Sequence, residues 1–180
     1  MRVITGKARG KRLETLAGDE VVRPTAERVK EALFSAIQFR IEGAKVLDLF
    51  AGSGQLGIEA ISRGAARCTF IDLSREAAAV VMRNLKNAGL SAQARVITGD
   101  AFRYLEDCRE SFDIVFVDPP YNKGLANAAL DKLSAAVAEN GCVICETEFG
   151  CELPEQAGEL SLYRSYKYGK TMIWQYKKQC

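Results

Sequence analysis

The sequence predicts an α/β fold in which a mostly parallel sheet carries helices on both faces. Short apolar, β-branched runs alternate with segments whose apolar residues recur at helical spacing, and this alternation is typical of such a sheet. A glycine-containing turn near the end of the chain separates two further apolar runs, which predicts a closing antiparallel hairpin. The expected strands are 46–49, 67–72, 95–98, 113–117, 142–146, 160–166 and 171–176.

Five helices are expected before and between these strands. Thr25 is suited to cap a leading helix over about 25–40, in which Val29, Leu33 and Ile37 share one face. The other four follow the first four strands: one continues from the glycine-rich turn to about residue 62, and the others lie at about 74–88, 102–108 and 125–139.

The composition is that of one ordinary globular domain. A chain of 180 residues is long enough for a sizeable core, and its 48% hydrophobic and 27% charged residues are typical of a protein in water. No apolar run approaches the length of a membrane span, and the beginning does not resemble a signal peptide. We therefore expect a single cytoplasmic domain over 1–180 without membrane association, with a basic arm or hairpin at 1–22 and a sheet core over 44–180.

The absence of histidine limits the chemistry. Ser-His, Cys-His and His-metal mechanisms are all excluded, because the chain has no histidine. Among its six cysteines, Cys142 and Cys145 have a metal-type spacing, but they lie in an expected strand, where positions three apart point to opposite faces. We therefore expect buried reduced thiols, no disulfide framework and no metal site.

Positive charge is concentrated at the start of the chain. Residues 1–12 contain five basic residues and no acid, whereas the whole chain has a net charge of only +2. Such a segment, whether a small hairpin or a loose arm, suggests a partner rich in phosphate, and a solvated terminus without a partner is the alternative. The basic residues are Arg2, Lys7, Arg9, Lys11 and Arg12.

The turn after the first strand has the glycines of a ligand-binding loop. Gly52, Gly54 and Gly57 match G-x-G-x-x-G, the dinucleotide fingerprint. Asp48, however, ends the strand four residues before Gly52, and a carboxylate there would repel a pyrophosphate. It would suit an ammonium group, and S-adenosylmethionine carries an ammonium, a sulfonium and no phosphate. A methyl donor is therefore favoured, with a dinucleotide as the alternative.

Acids also end the next two strands. Asp72 is placed to accept hydrogen bonds from ribose hydroxyls, and Asp100 from an adenine amine, with the Ala101 N–H near a ring nitrogen. Helix capping would explain either acid alone. Because the carboxyl ends of parallel strands meet at one edge, four acids in register at that edge, with Asp48 and Asp118, favour a ligand site.

The tetrapeptide Asp118-Pro119-Pro120-Tyr121 follows the fourth strand as a rigid corner, since two prolines cannot continue a ladder. The Asp118 carboxylate and the Pro119 carbonyl are both suited to accept N–H bonds from the exocyclic amine of a nucleobase. That would aim the nitrogen lone pair at an electrophile, while Tyr121 stacks on the base. A plain Asp-Pro turn is the alternative.

With these motifs the chain resembles the class I S-adenosylmethionine-dependent methyltransferases. More narrowly, it resembles the RsmD family of bacterial small-subunit rRNA guanine-N2 methyltransferases. The resemblance implies a seven-stranded sheet, S-adenosylmethionine as cofactor, and methyl transfer to N2 of a guanine in small-subunit rRNA. We expect the protein to be a monomer and its partner to be this rRNA, alone or in a ribosomal particle. The resemblance rests on the Arg-Gly-Lys-Arg-Leu start, Arg23-Pro24-Thr25, residues 48–54 and 118–121, and Tyr168-Gly169.

Matched by position, the resemblance implies that the target base is held by Asp118, Pro119, Pro120 and Tyr121. It implies that the cofactor is held by Asp48, Phe50, Gly52, Gly54, Asp72, Leu73, Asp100 and Ala101. Two alternatives stay open: a DNA adenine-N6 methyltransferase, which would use the same corner, and an RNA-binding module with a vestigial cofactor fold. Whether Asp118 also accepts the proton stays open too.

Overall fold

A mixed sheet forms the centre of the structure, a computed structural model that describes residues 1–16, 24–120 and 124–178. Its strands are β1 (Lys45–Asp48), β2 (Arg67–Asp72), β3 (Ala94–Thr98), β4 (Phe112–Val117), β5 (Val137–Glu148), β6 (Gln156–Ala157), β7 (Leu160–Tyr168) and β8 (Thr171–Lys178). They lie in the order β3-β2-β1-β4-β5-β8-β7-β6. The first five strands are parallel and the last three pair antiparallel, which confirms the predicted mixed sheet and its hairpin.

Helices cover both faces of this sheet, as predicted. They are α1 (Pro24–Ala36), α2 (Gln55–Ser62), α3 (Arg75–Ala88), α4 (Ala101–Asp107) and α5 (Leu125–Leu133). Buried residues of α1, α2 and α3 form one apolar cluster, and those of α4 and α5 form another. Cys142 belongs to the first cluster and Cys145 to the second, so these cysteines face opposite sides of β5 and are free thiols, as expected. No helix in the described residues has the length and apolar character to cross a bilayer.

Two predicted helix ends and the predicted start of the fifth strand, at residue 142, were wrong. The helix expected to run to Glu139 ends at Leu133, because β5 begins at Val137, which pairs with Phe112 of β4. Sheet pairing there overrides the helix propensity of the alanines that precede it. The leading helix ends at Ala36 and is followed by a 3₁₀ turn over Gln38–Arg40.

The expected number of seven strands was also wrong, because the two-residue strand β6 adds an eighth strand at the edge. Such a short strand carries no periodic signal that a sequence pattern can reveal. The predicted cap on α1 involves the side chain of Thr25, which lies outside the described part of the structure, as do Arg23 and Cys180.

The basic N-terminal segment is a small docked hairpin rather than a loose arm. The backbone N–H of Val3 donates to the Lys11 carbonyl at 2.9 Å, and the N–H of Leu13 donates to the Met1 carbonyl at 2.9 Å. The side chains of Val3, Ala8 and Leu13 are buried in the first apolar cluster. The hairpin is therefore part of the domain, and its shape is fixed by the core.

A buried carboxylate holds this hairpin against α2. Glu59 is fully buried, and its two oxygens accept the backbone N–H groups of Ile4 at 2.8 Å and Thr5 at 3.0 Å. One turn further along α2, Ser62 accepts the N–H of Ala8 at 3.0 Å and donates to the Thr5 carbonyl at 2.6 Å. The hairpin backbone groups that do not pair within the hairpin thus find partners on the helix, as buried backbone requires.

Two cations neutralise Glu59. Arg63 Nε lies 2.7 Å from its Oε1, and Lys30 Nζ lies 3.5 Å from its Oε2. Lys30 is itself 2% exposed and donates to the Arg2 carbonyl at 2.7 Å. Burial lowers the pKa of Lys30, and Glu59 acts in the opposite direction. The three charges therefore form one buried network that joins α1, α2 and the hairpin.

Replacing Glu59 by alanine should lower the free energy of unfolding by about 3–5 kcal/mol, because Lys30 and two backbone N–H groups lose their partner in the interior. Urea denaturation measures this change. Glu155→Ala, at an exposed glutamate, is the matched control and should change stability little. Equal midpoints for both variants would contradict the role given to Glu59.

Candidate active site

The register of the parallel strands brings four acids to one edge of the sheet. Asp48 at the end of β1 pairs with Phe70 of β2 and with Phe116 of β4. Asp72 and Asp118, each two residues further along the chain, therefore lie at the same edge. The fourth acid reaches this edge because Asp72 pairs with the end of β3, at a residue two positions before Asp100.

A cleft of about 690 Å³ opens at this edge. Ten of the twelve residues predicted for the cofactor and the target base line it: Asp48, Phe50, Gly52, Asp72, Leu73, Asp100, Ala101, Asp118, Pro119 and Pro120. Of the remaining two, Gly54 is buried behind the lining, and Tyr121 lies outside the described residues. Most of the residues predicted to bind the cofactor thus share one cavity with the corner after β4.

The glycine turn needs its glycines for two separate reasons. Gly52 has φ +53° and exposes its backbone at the cleft. Gly54 has φ +78°, and a Cβ there would lie 3.1 Å from a methyl group of Val81 on α3. Gly54 therefore allows the turn to pack closely against α3, and it does not contribute to the cleft surface.

Asp72 ties the glycine turn to the end of β2. One carboxylate oxygen accepts the Gly52 N–H at 2.8 Å, and the other accepts the Ser74 N–H at 2.8 Å. Ser74 in turn caps α3 by accepting the Ala77 N–H at 3.2 Å. Each Asp72 oxygen has a further lone pair, so the carboxylate can bind hydroxyl donors while it holds the turn.

Asp48 lies at the bottom of the cleft and is 2% exposed. Its Oδ2 accepts the Gly57 N–H at 3.0 Å. Burial raises the pKa of this carboxyl to about 7; the Gly57 hydrogen bond lowers it, and the charge of Asp72 raises it further. A carboxylate that is costly to ionise in this position gains more from a bound cation than an exposed one would.

Asp100 both caps a helix and lines the cleft. Its Oδ1 accepts the Arg103 N–H at 2.9 Å and so caps α4, as the capping alternative predicted. The residue is exposed and lines the cleft beside Ala101. A helix cap therefore presents its carboxylate to the cavity.

The structure adds residues to the cleft that the sequence did not reveal. Phe102 lies edge-on to Phe50, with ring centroids 6.3 Å apart, and the two rings form an apolar wall. Gln55 also lines the cleft, and its buried Oε1 has no hydrogen-bond partner among the residues that the structure describes. The place of Phe102 in the cleft could have been predicted, because it directly follows Ala101. Leu16 reaches the cleft from the N-terminal segment, and no sequence pattern around it indicates that position.

Asn84 of α3 binds the backbone of Glu14, two residues before Leu16. Its amide is fully buried, and Nδ2 donates to the Ser53 carbonyl at 2.9 Å and to the Glu14 carbonyl at 3.0 Å. Its Oδ1 accepts the Glu14 N–H at 2.7 Å. One side chain therefore joins the glycine turn to the segment that follows the basic hairpin.

The basic side chains lie away from the cleft, around the other end of α2. All five are exposed, and Arg2 lies 3.5 Å from Glu27. The hairpin contacts α2 at Glu59 and Ser62, whereas α2 begins at the cleft with Gln55. Along α2, the contact at Ser62 therefore lies about 10 Å from the cleft, because the helix rises roughly 1.5 Å per residue. No group of potential metal ligands occurs in the described residues.

The strand order, the glycine turn and the acidic edge define a protein of the methyltransferase class. A family model described as "Conserved hypothetical protein 95" matches residues 1–177. Ribosomal RNA small subunit methyltransferase D of Escherichia coli (strain K12) is 35% identical over 182 residues, which cover 99% of this chain and 90% of that protein. The chain therefore belongs to the RsmD family, and the resemblance is confirmed.

Two further relatives agree over the full length. The protein YlbH of Bacillus subtilis (strain 168) is 41% identical over 184 residues, covering 99% of this chain and all of that protein. The solved structure of yhhF from Escherichia coli superposes with a TM-score of 0.86 at 33% identity, covering 100% of this chain and 98% of that one. The fold described here is thus that of its family.

The Asp48 carboxyl should titrate with a midpoint of about 7, far above the ordinary value of about 4, because burial disfavours its charged form. Carboxyl-carbon NMR of protein labelled at aspartate measures this, and Asp48→Asn assigns the signal. A midpoint near 4 for Asp48 would contradict the burial described here.

Proposed function

We propose that the protein transfers a methyl group from S-adenosylmethionine to the exocyclic N2 of a guanine in small-subunit rRNA. One observation carries the proposal: the acids that end β1, β2 and β3 share a single cavity with Asp118 and Pro119 at the end of β4. A cationic donor and an amine acceptor would therefore meet inside one cleft. The name of the Escherichia coli relative supports small-subunit rRNA as the substrate.

The residues present fit this cofactor. The buried carboxylate of Asp48 suits the ammonium group. The buried Oε1 of Gln55, which no described residue bonds, suits a hydrogen-bond donor in the same cleft. Asp72 retains lone pairs for the ribose hydroxyls, and Asp100 with the Ala101 N–H suits the adenine edge. When bound, the cofactor supplies a methyl group on a sulfonium, which is already a strong electrophile.

The corner after β4 prepares the acceptor. The Asp118 carboxylate and the Pro119 carbonyl accept the N–H bonds of the exocyclic amine, which draws its lone pair out of the ring system. Pro119 is buried, so its carbonyl is held in a fixed position. Transfer then depends on positioning rather than on a covalent enzyme intermediate. Asp118 is suited to accept the released proton, and Tyr121 to stack on the base.

The substrate must present an unpaired or flipped guanine, because the amine is inaccessible inside a duplex. We propose that the five basic side chains of the N-terminal hairpin bind RNA phosphates around this guanine, and their exposure supports this assignment. These residues are Arg2, Lys7, Arg9, Lys11 and Arg12. The protein would act in the cytoplasm as a monomer, on free rRNA or on a ribosomal particle.

Replacing Asp118 by alanine should reduce methyl transfer at least about a hundredfold, because the amine loses its charged acceptor. Affinity for S-adenosylmethionine should change little. Transfer of labelled methyl to rRNA and isothermal titration with the cofactor measure the two effects, and Asp131→Ala, at an exposed aspartate of α5, is the control.

Equal loss of transfer and of cofactor affinity in Asp118→Ala would contradict the role of this residue. Nuclease digestion of the product should give N2-methylguanosine. Methylated adenine in duplex DNA, with unmodified rRNA, would instead support the DNA methyltransferase alternative. Binding of rRNA without any methyl incorporation would support a vestigial cofactor fold.

Affinity for S-adenosylmethionine should fall roughly fivefold to tenfold when the pH is lowered from 7.5 to 6. The bound ammonium group favours the ionised form of Asp48, whose pKa in the protein without cofactor is about 7. Calorimetric titrations at both pH values test this. Asp48→Asn should bind more weakly and lose most of the dependence. An unchanged dependence in that variant would exclude Asp48 as its source.

A further inference from the structure

An exposed phenylalanine, Phe149, follows a strand whose end lines the same cavity as the proline corner. A second, smaller cavity borders Pro119 and Pro120 on one side and the end of β5, Glu146–Glu148, on the other. Phe149 is the next residue after β5, and Cys151 again lines this cavity. Phe149 therefore lies within one or two residues of the cavity wall that the proline corner shares.

The position of Phe149 is fixed although its ring is exposed. The side chain is 57% exposed and belongs to neither apolar cluster. Its backbone N–H donates to the Lys170 carbonyl in the β7–β8 turn at 2.7 Å, and the Cys151 N–H donates to the Glu148 carbonyl at 3.2 Å. These bonds hold the backbone at Phe149, so little backbone freedom is lost when a flat partner stacks on its side chain.

Two lysines lie near this ring, one of them over its face. Lys167 Nζ lies 3.4 Å from the ring centroid of Phe149, and Lys170 is exposed at the tip of the adjoining turn. Within the described ranges, neither lysine forms an ion pair with a carboxylate. A nucleotide offers a ring for the aromatic face and a phosphate for the cations, so its chemistry fits both features at once.

On these grounds, and resting on the proposed function, we propose that Phe149 is a stacking platform for an unpaired nucleotide that flanks the target guanine. Lys167 and Lys170 bind the phosphates on either side of that nucleotide. The corner at Pro119 and Pro120 holds the target base, and the platform keeps the neighbouring nucleotide out of its helical stack. The site recognises single-stranded RNA without reading its sequence, because every base has a face on which it can stack.

Phe149→Ala should weaken binding of a fluorescein-labelled, single-stranded RNA of twelve nucleotides about tenfold or more, measured by fluorescence anisotropy. Phe149→Trp should retain wild-type affinity, because the indole also stacks. Phe39→Ala is the matched control: Phe39 is 95% exposed, and its neighbour Arg40 donates to the Asn140 carbonyl near the start of β5, whereas Phe149 follows the end of that strand. This control should bind like the wild type.

Several outcomes would overturn the proposal. They are unchanged affinity in Phe149→Ala, an equal loss in Phe39→Ala, or an equal loss for duplex RNA of the same sequence. A loss confined to ribosomal particles, with single-stranded RNA unaffected, would show that Phe149 contacts a protein instead. Lys167→Ala and Lys170→Ala together should reduce the dependence of affinity on salt, and an unchanged dependence would remove the phosphate contacts.

The experiment separates this inference from the function on which it rests. RNA affinity is measured without methyl transfer, so an inactive wild-type protein would refute the function and leave the platform testable. An active protein whose RNA affinity and KM for rRNA do not change in Phe149→Ala would refute the platform alone.

Discussion

The structure depends on the parallel register that β1 shares with β2 and β4. Because Asp48 pairs with both Phe70 and Phe116, the neighbouring strands β2, β1 and β4 end at the same level along the strand direction. The strand interiors are fully buried, as for Leu47 and Val115, so a slip by one residue would exchange the apolar side chains of the two faces. The packing of the core therefore fixes the spacing of the acids at the edge, and with it the geometry of the cleft.

The N-terminal hairpin is joined to the cleft by two polar side chains rather than by apolar packing alone. Glu59 fixes its backbone to α2, and Asn84 fixes the following segment to the glycine turn through Ser53. Both side chains are fully buried and satisfied, so moving the hairpin would leave several interior polar groups unpaired. The proposed phosphate-binding surface and the proposed cofactor turn therefore belong to one rigid unit, which suits a small domain that must hold a single base within a large RNA.

The sequence predicted most of the cleft because its residues follow strands at short range. Asp48, Asp72, Asp100 and Asp118 could be placed once the apolar runs were recognised as parallel strands. Residues that depend on long-range packing could not be placed in this way. Neither Asn84 nor Leu16 carries a local signal, and the start of β5 at Val137 depends on pairing with Phe112. The pKa of Asp48 likewise follows from burial, which no pattern of residues states directly.

The account requires one cleft to seat a cationic methyl donor against a clamp for an amine-bearing ring. The most direct measurement is a crystal structure of the protein with S-adenosylhomocysteine, the product that the proposed reaction leaves behind. The account predicts the ribose at Asp72, the adenine beside Asp100, and the sulfur facing the corner at Asp118. A ligand bound outside this cleft, or one whose sulfur faces away from Asp118, would contradict the proposed reaction.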